Sequence, residues 1–386
     1  MIREPSAPRA DWQAQCEAVG FDFHSIGGIP YWDESVRYRF TMREIEDDLE
    51  APTEALLALC YEAVRQIHRD EAALTRLDIP QSYWDAIAES WQAQDKDVYG
   101  RFDLAYNGHG PAKLLEFNAD TPTSLLESAV VQWQWLEDLI ASGALPEDAD
   151  QFNSIHERLI AAFVALGVSG PMHFTAMRAV EEDRGTIEYI RDCAQQAGLS
   201  TALIAIEDIG IDRAGRLVDL QNGPITALFK LYPWEWIARE QYAPNMIMRS
   251  VRVFEPVWKM ILSNKGIAAE LWRLDPGHPN LLEAYYADDP QAAKLTGARF
   301  VKPLLSREGA NITFRQAGGE TISTDGIYGG RRSIVQAAGP VFSERGLTAV
   351  LGSWVVAGAA AGMCVREESG PITTNRSRFI PHYIVE

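Results

Sequence analysis

Two short runs, Arg101-Phe102-Asp103-Leu104-Ala105-Tyr106 and Lys113-Leu114-Leu115-Glu116-Phe117-Asn118, alternate apolar residues with charged or amide ones. The stretch between them, Asn107-Gly108-His109-Gly110-Pro111, is built of turn formers. This pattern predicts a β-hairpin, because side chains repeat with period two along a strand. With Tyr106 opposite Lys113, Asp103 faces Glu116 and Arg101 faces Asn118. Two carboxylates directly across a ladder repel each other. A hard divalent cation removes that penalty, and a donor set of Asp103, Glu116 and Asn118 suits magnesium. The alternative from these residues alone is a solvent-facing hairpin whose polar face carries no function.

Cations that could meet a polyanion lie far downstream. Lys265 sits in Asn264-Lys265-Gly266 at the expected start of a helix, where an ammonium can point at phosphate or simply be solvated. Lys302 lies on the expected strand Arg299-Phe300-Val301-Lys302-Pro303, and Ser306-Arg307-Glu308-Gly309-Ala310 follows as a turn of small and polar residues. Such a turn can fold over a triphosphate and offer backbone N–H groups, with Lys302 and Arg307 as cations; a plain hairpin is the alternative. Thr121, Thr123 and Ser124 precede an expected helix over 125–142, as either an anion site or an ordinary N-cap.

The elements that must position these groups form a mixed α/β chain. Helical periodicity dominates from Met42 to about Gln94, with expected breaks at Pro52 and Pro80. Thr41 and Glu44 have the spacing of a capping box, and Trp84, Ile87 and Trp91 that of a core stripe. From 151 to 231 expected helices alternate with strands at 172–177, 201–206, 215–219 and 225–231, the pattern of an α/β lobe with a partly parallel sheet. Further strands are expected at 311–314, 333–338, 351–356 and 362–367, and the glycine-rich stretch 315–332 reads as a lid or loop. No phosphate fingerprint of the GxGxxG or GxxxxGK[ST] type occurs in the 151–231 lobe.

Composition narrows the class. The 386 residues are 47% hydrophobic and carry a net charge of −19, so a large core is affordable in area and nucleic acid is excluded as a partner. Cys16, Cys60, Cys193 and Cys364 lack metal-ligand spacing and read as reduced thiols of a cytoplasmic protein. The N-terminus has no apolar signal core, and the apolar stretch 351–365 is too short and glycine-interrupted to span a membrane.

The sequence Arg101-x-Asp103, then Glu116-x-Asn118-Ala119-Asp120, then a Thr/Ser-rich turn, resembles the synthetase domain of glutathionylspermidine synthase and its shorter relatives. So do Asn264-Lys265-x-Ile267 and Lys302-Pro303-x-x-x-Arg307-x-Gly309-x-Asn311-Ile312, and the resemblance runs over nearly the whole chain. It implies an ATP-grasp fold with an interleaved pre-ATP-grasp-like α/β lobe, in one unit over 1–386. Its approximate lobes are a helical region plus hairpin (1–145), the α/β lobe (146–255) and a nucleotide-binding grasp lobe (256–386). The implied activity is acid–amine ligation: ATP phosphorylates a carboxylate, and an amine then displaces phosphate from the acyl phosphate. Asp103, Glu116 and Asn118 would hold Mg2+; Lys265, Lys302 and Arg307 would bind ATP, with Gln336 marking the linker that reads adenine through backbone groups. Arg101 and Arg366 would be catalytic, Thr121 and Thr123 would lie beside the carboxylate substrate, and Glu188 would face the amine.

The partners implied are a small-molecule or peptide carboxylate and an amine, with no nucleic acid or membrane, and a homo-oligomer is compatible with the sequence. The resemblance covers only the synthetase part, so no amidase activity is expected. Arg376 and Arg378 near the C-terminus speak against a polyamine substrate, leaving glutathionylspermidine synthesis itself, or a non-catalytic nucleotide binder, as alternatives to the general ligase.

Overall fold

The computed structural model describes all residues 1–386. Its centre is a six-stranded antiparallel sheet in which the hairpin Tyr99–Ala105/Lys113–Asn118 forms one edge. The inner hairpin strand pairs with Leu347–Val356, which pairs with Ala359–Ser369 and then Arg378–Ile380. Phe342–Glu344 adds to the other side of the Leu347–Val356 strand's start. Early and late chain therefore build one sheet, and Arg366, opposite Val350, shares a face with Asp103, opposite Gly352.

The expected register holds at the polar end: Arg101 lies opposite Asn118 and Asp103 opposite Glu116. At the turn end it does not. Lys113 pairs with Ala105 rather than Tyr106, because one extra residue, Leu115, bulges from the return strand. The bulge has structural uses, since it turns backbone carbonyls of this strand out of the ladder and toward a second sheet.

That second sheet has five antiparallel strands in the order Ala284–Tyr286, Ser333–Ala337, Arg299–Pro303, Thr313–Arg315 and Thr321–Ser323. Thr321–Ser323 gives the glycine-rich stretch a paired strand of its own. A third, wholly parallel sheet is made of Arg252–Phe254, Ala227–Leu231, Met172–Ala176 and Thr201–Ala205. The expected strand at 215–219 stands outside it, in a two-stranded ribbon of Gly210–Ile211 with Leu217–Val218. The chain ends meet in a fourth sheet, Ile2–Pro5, Val36–Thr41 and His382–Val385, a pairing no local pattern announces.

Apolar residues of the helical region and of the hairpin belong to one hydrophobic core. Thr41 and Glu44 form the expected capping box: the Thr41 N–H donates to the Glu44 carboxylate at 2.9 Å and the Glu44 N–H to the Thr41 hydroxyl at 3.3 Å. Pro52 does not break the helix. A wide-turned segment, Glu44–Glu50, runs directly into Ala51–Ile67, and the Asp48 carbonyl four residues before Pro52 accepts the Ala112 N–H at 3.0 Å instead. Ile87 is fully buried, and Trp91 packs edge-on against Trp258 at 5.2 Å. All four cysteines are buried and unpaired. No helix is long and apolar enough to cross a membrane.

Candidate active site

The Arg101 side chain lies under the sheet face with its guanidinium held on three sides. Nε and Nη2 donate to the two Asp103 oxygens at 2.7 and 3.2 Å, and Nη1 donates to the Thr123 carbonyl at 2.7 Å. The guanidinium also sits 5.6 Å from the Trp354 ring centroid. Gly352, opposite Asp103 on the neighbouring strand, makes room for it: a Cβ there would stand 2.9 Å from the Arg101 Cδ. Across the hairpin, Lys265 Nζ meets the Glu116 carboxylate at 2.5 Å. Burial raises the Glu116 carboxyl's proton affinity, but Lys265, Lys302 and Arg101 outweigh it and hold the group well below the usual carboxylate range.

Two backbone features carry the lysines to this point. Lys265 is anchored by its N–H on the Leu304 carbonyl at 2.8 Å, while the Asn264 amide oxygen accepts the Gly266 N–H at 2.8 Å. Lys302 Nζ donates to the carbonyl of the bulged Leu115 at 3.1 Å and to the Gln336 amide oxygen at 2.7 Å. Gln336 in turn donates to the Leu114 carbonyl at 3.1 Å. Burial, assisted by Lys265 and opposed by Glu116, pushes the Lys302 ammonium down to about 8.

These groups stand where two cavities meet. One, of about 290 Å³, is largely apolar: Phe300, Ile312, Phe314, Val341, Val350 and Ile372 line it, with Lys302 at its polar end. The other, of about 190 Å³, is polar and contains Arg101, Thr121, Thr123, Lys265, Arg307 and Arg366. Asp103, Glu116, Gly309 and Thr373 line both. A larger cavity of about 470 Å³ behind Ser263 and Glu235 holds none of the candidate residues.

Several expected residues have different surroundings from those the sequence suggests. Gln336 lies inside the strand Ser333–Ala337, opposite Ala284 on one side and Phe300 on the other, so its backbone belongs to the sheet ladder. The following segment, at Ala338, Gly339 and Val341, lines the apolar cavity instead. Glu188 is exposed on the helix Glu181–Gln196 and 3.7 Å from Arg184, beside a separate small cavity. The helix starts at Glu181, and its first turn brings Glu182 and Asp183 into the polar cavity. Burial and then Glu182 push the Asp183 carboxyl up to about 7. Neither Thr121 nor Thr123 caps the next helix. The Thr121 hydroxyl accepts from Arg307 Nη2 at 2.7 Å, and Thr123 gives its carbonyl to Arg101.

Arg366 donates Nη2 to the Thr374 carbonyl at 2.7 Å, while its buried Nε has no partner. Arg378 is neutralised by Asp33 and Glu367, each at 2.6 Å, and does not line the cavity; Asn375 does. Its charge therefore gives no ground for excluding a polyamine. Glu235, which takes Arg307 Nη1 at 3.3 Å, had no sequence signal; it comes in on the short helix Trp234–Ile237 after a parallel strand.

No group of three or more His, Cys, Asp and Glu side chains is placed to hold a metal. The hairpin supplies two carboxylates and an amide, all hard donors, which suits magnesium better than softer ions. Asn118 presents its amide nitrogen to Asp103 and Glu116 at 3.2 and 3.4 Å, so it would ligate a cation only with the amide turned over.

The family model described as glutathionylspermidine synthase pre-ATP-grasp matches residues 3–385. The chain belongs to this family. It is 39% identical, over 98% of both chains, to a Haemophilus influenzae protein provisionally named an acid–amine ligase. It is 27% identical to the trypanothione synthetase of Crithidia fasciculata, over 82% of this chain and 52% of that one. Against the bifunctional glutathionylspermidine synthetase/amidase of Escherichia coli the identity is 24%, over 88% and 58%. The chain thus spans little more than half the length of these two relatives. Among solved structures, a glutathione synthetase-like effector of Globodera pallida superposes with a TM-score of 0.57 over 99% of this chain at 11% identity, a likeness of fold. The fold is of the ATP-grasp type, and the family's members carry the names of ligases and synthetases. As a glutathionylspermidine synthase-like protein, the chain is an enzyme of the carbon–nitrogen ligase class.

Proposed function

We infer that this glutathionylspermidine synthase-like ligase joins a carboxylate to an amine with ATP, through an acyl phosphate, releasing ADP and phosphate. The observation that carries this reading is the junction at Asp103 and Glu116, with an apolar slot on one side and a cation-lined polar cavity on the other. The slot suits a nucleobase, with the segment at 338–341 along its edge. Lys302 and Lys265 then face the polyphosphate, and Arg307 the far side of the transferred phosphoryl group. Magnesium would be held by Asp103 and Glu116, with Asn118, and would neutralise charge on the phosphate oxygens.

In the first step a substrate carboxylate oxygen attacks the γ-phosphorus and the bond to ADP breaks. Phosphoryl transfer develops negative charge on oxygen, so cations and fixed donors matter more than a strong base. Arg101 is suited to steady the acyl phosphate and then the tetrahedral oxyanion, with Arg366 beside it. In the second step the amine nitrogen attacks the acyl carbon, phosphate leaves, and the nitrogen gives up a proton. Asp183, with its carboxyl near neutrality, is suited to accept that proton. Glu182 and Asp183 make one wall acidic, which favours a cationic amine.

The test is product analysis. Purified protein with Mg-ATP and a panel of carboxylates and amines, polyamines and glutathione included, is expected to yield ADP and a condensed amide by mass spectrometry, lost in Asp103→Asn. AMP as the product would mean adenylation and would overturn the acyl-phosphate route.

Lys302 gives this reading a pH signature. With its ammonium near 8, the free protein loses that charge as pH rises, and a polyphosphate binds the charged form better. Calorimetry with Mg-bound non-hydrolysable ATP between pH 6.5 and 9.5, roughly spanning the side chain's shifted range, is expected to show affinity falling above about pH 8. Lys302→Met should bind about 10- to 100-fold more weakly at pH 7, the worth of one charge-assisted hydrogen bond, and show no such fall.

A further inference from the structure

Asp120 closes the motif Glu116-x-Asn118-Ala119-Asp120, yet it lines neither cavity. It is 2% exposed, and Lys230, its ion-pair partner, is completely buried. The second Asp120 oxygen accepts the Trp234 N–H at 2.9 Å. Lys230 belongs to the parallel strand Ala227–Leu231, and its ammonium lies 4.7 Å from the Trp234 ring centroid. One carboxylate thus ties the turn after the hairpin to the α/β lobe twice.

That turn holds two of the three arginines that line the polar cavity. Thr121 accepts from Arg307 and Thr123 from Arg101, each at 2.7 Å, while the Tyr99 hydroxyl donates to the Pro122 carbonyl at 3.2 Å. Trp234, which Asp120 fixes, is followed by Glu235, the second acceptor for Arg307. The contacts close a ring: Asp120 to Trp234, Glu235 to Arg307, Arg307 to Thr121, and back along the chain.

We propose that the buried Asp120–Lys230 pair is a positioning device, which fixes the 120–123 turn and the Trp234–Ile237 helix so that Arg101 and Arg307 converge on the transferred phosphoryl group. A buried ion pair is a poor way to gain stability, because desolvation offsets most of its attraction and apolar residues of equal volume do as well. An apolar pair cannot fix the direction of a turn or hold the Trp234 N–H. A site whose donors come from three separate segments needs such support, since displacement of an ångström is costly in turnover.

This rests on the ligase reading, and the wild type's turnover in the same assay reports on that reading, whereas the variant-to-wild-type ratio reports on the pair. The variants are Asp120→Leu, Lys230→Met and the double variant. Each single change leaves one buried group unmatched and is expected to lower the melting temperature. The double change removes both charges and is expected to bring the melting temperature back toward wild type. Its kcat should stay at least about tenfold down, with KM for Mg-ATP within a few-fold, because Lys265 and Lys302 do not rest on this turn. A double variant with recovered stability and wild-type kcat would overturn the proposal, as would one that loses kcat, ATP affinity and thermal stability together.

Discussion

Arg101→Lys is expected to lower turnover about 100- to 1000-fold, the range found when one donor to a developing oxyanion is removed. The substitution keeps the charge, so a purely electrostatic role would survive it. What it removes is a planar fork whose three nitrogens are committed in fixed directions, two to Asp103 and one to Thr123. A lysine ammonium in this buried pocket satisfies Asp103 or the Thr123 carbonyl but cannot span both while facing the cavity. Gly352 was shaped around the longer side chain, and its missing Cβ would leave space beside a shorter one. Mg-ATP affinity should change by only a few-fold, since Lys265 and Lys302 are untouched. Steady-state kinetics and nucleotide binding on the same preparation check this, and near-normal turnover would remove Arg101 from the reaction.

The contrast between Arg101 and Glu188 shows what a sequence can specify about this site. Period-two alternation fixes which side chains share a strand face, so Arg101, Asp103, Glu116 and Asn118 were legible as a set. The Leu115 bulge was not, because it is stabilised by partners about 190 and 220 residues away in sequence, Lys302 and Gln336. Glu188 was expected at the site, but its helix begins at Glu181. Glu182 and Asp183 in its first turn line the cavity, whereas Glu188, roughly one and a half turns on, lies on another face of the helix and is exposed. Helix starts without a strong N-cap are poorly marked, and Val180 supplies none.

Charge pairing was the other hidden layer. Lys265 was legible as a cation at a helix start, but nothing local indicated that it would rest on Glu116. Arg378 looked free in sequence and is held by two carboxylates. Asp120 was visible only as part of a motif, since its partner Lys230 comes from another lobe. Such pairs depend on tertiary distance, which no spacing rule encodes. The lobe limits suffer likewise: strands at 99–118 and 347–380 share one sheet, so the hairpin is as much part of the late chain as of the early one.

The Lys265–Glu116 pair leads to the second large effect. In the free protein Lys265 neutralises a carboxylate that would otherwise face Asp103 across the ladder. Glu116→Gln removes that anion while keeping its shape, with two consequences of opposite sign. Turnover should fall about 1000-fold, because a cation held by Asp103 as its one carboxylate forfeits several kcal/mol of charge stabilisation on the phosphoryl oxygens. Affinity for ATP without magnesium should rise, by about tenfold, since a unit charge near the polyphosphate is worth at least about 1 kcal/mol. Lys302 loses a supporting anion and becomes easier to deprotonate, but the site as a whole gains one positive charge. Calorimetry with ATP in excess EDTA, set beside Mg-ATP turnover, separates the two. A variant that binds metal-free ATP less well than wild type would mean that Glu116 is no rival for Lys265 and does not face the polyphosphate.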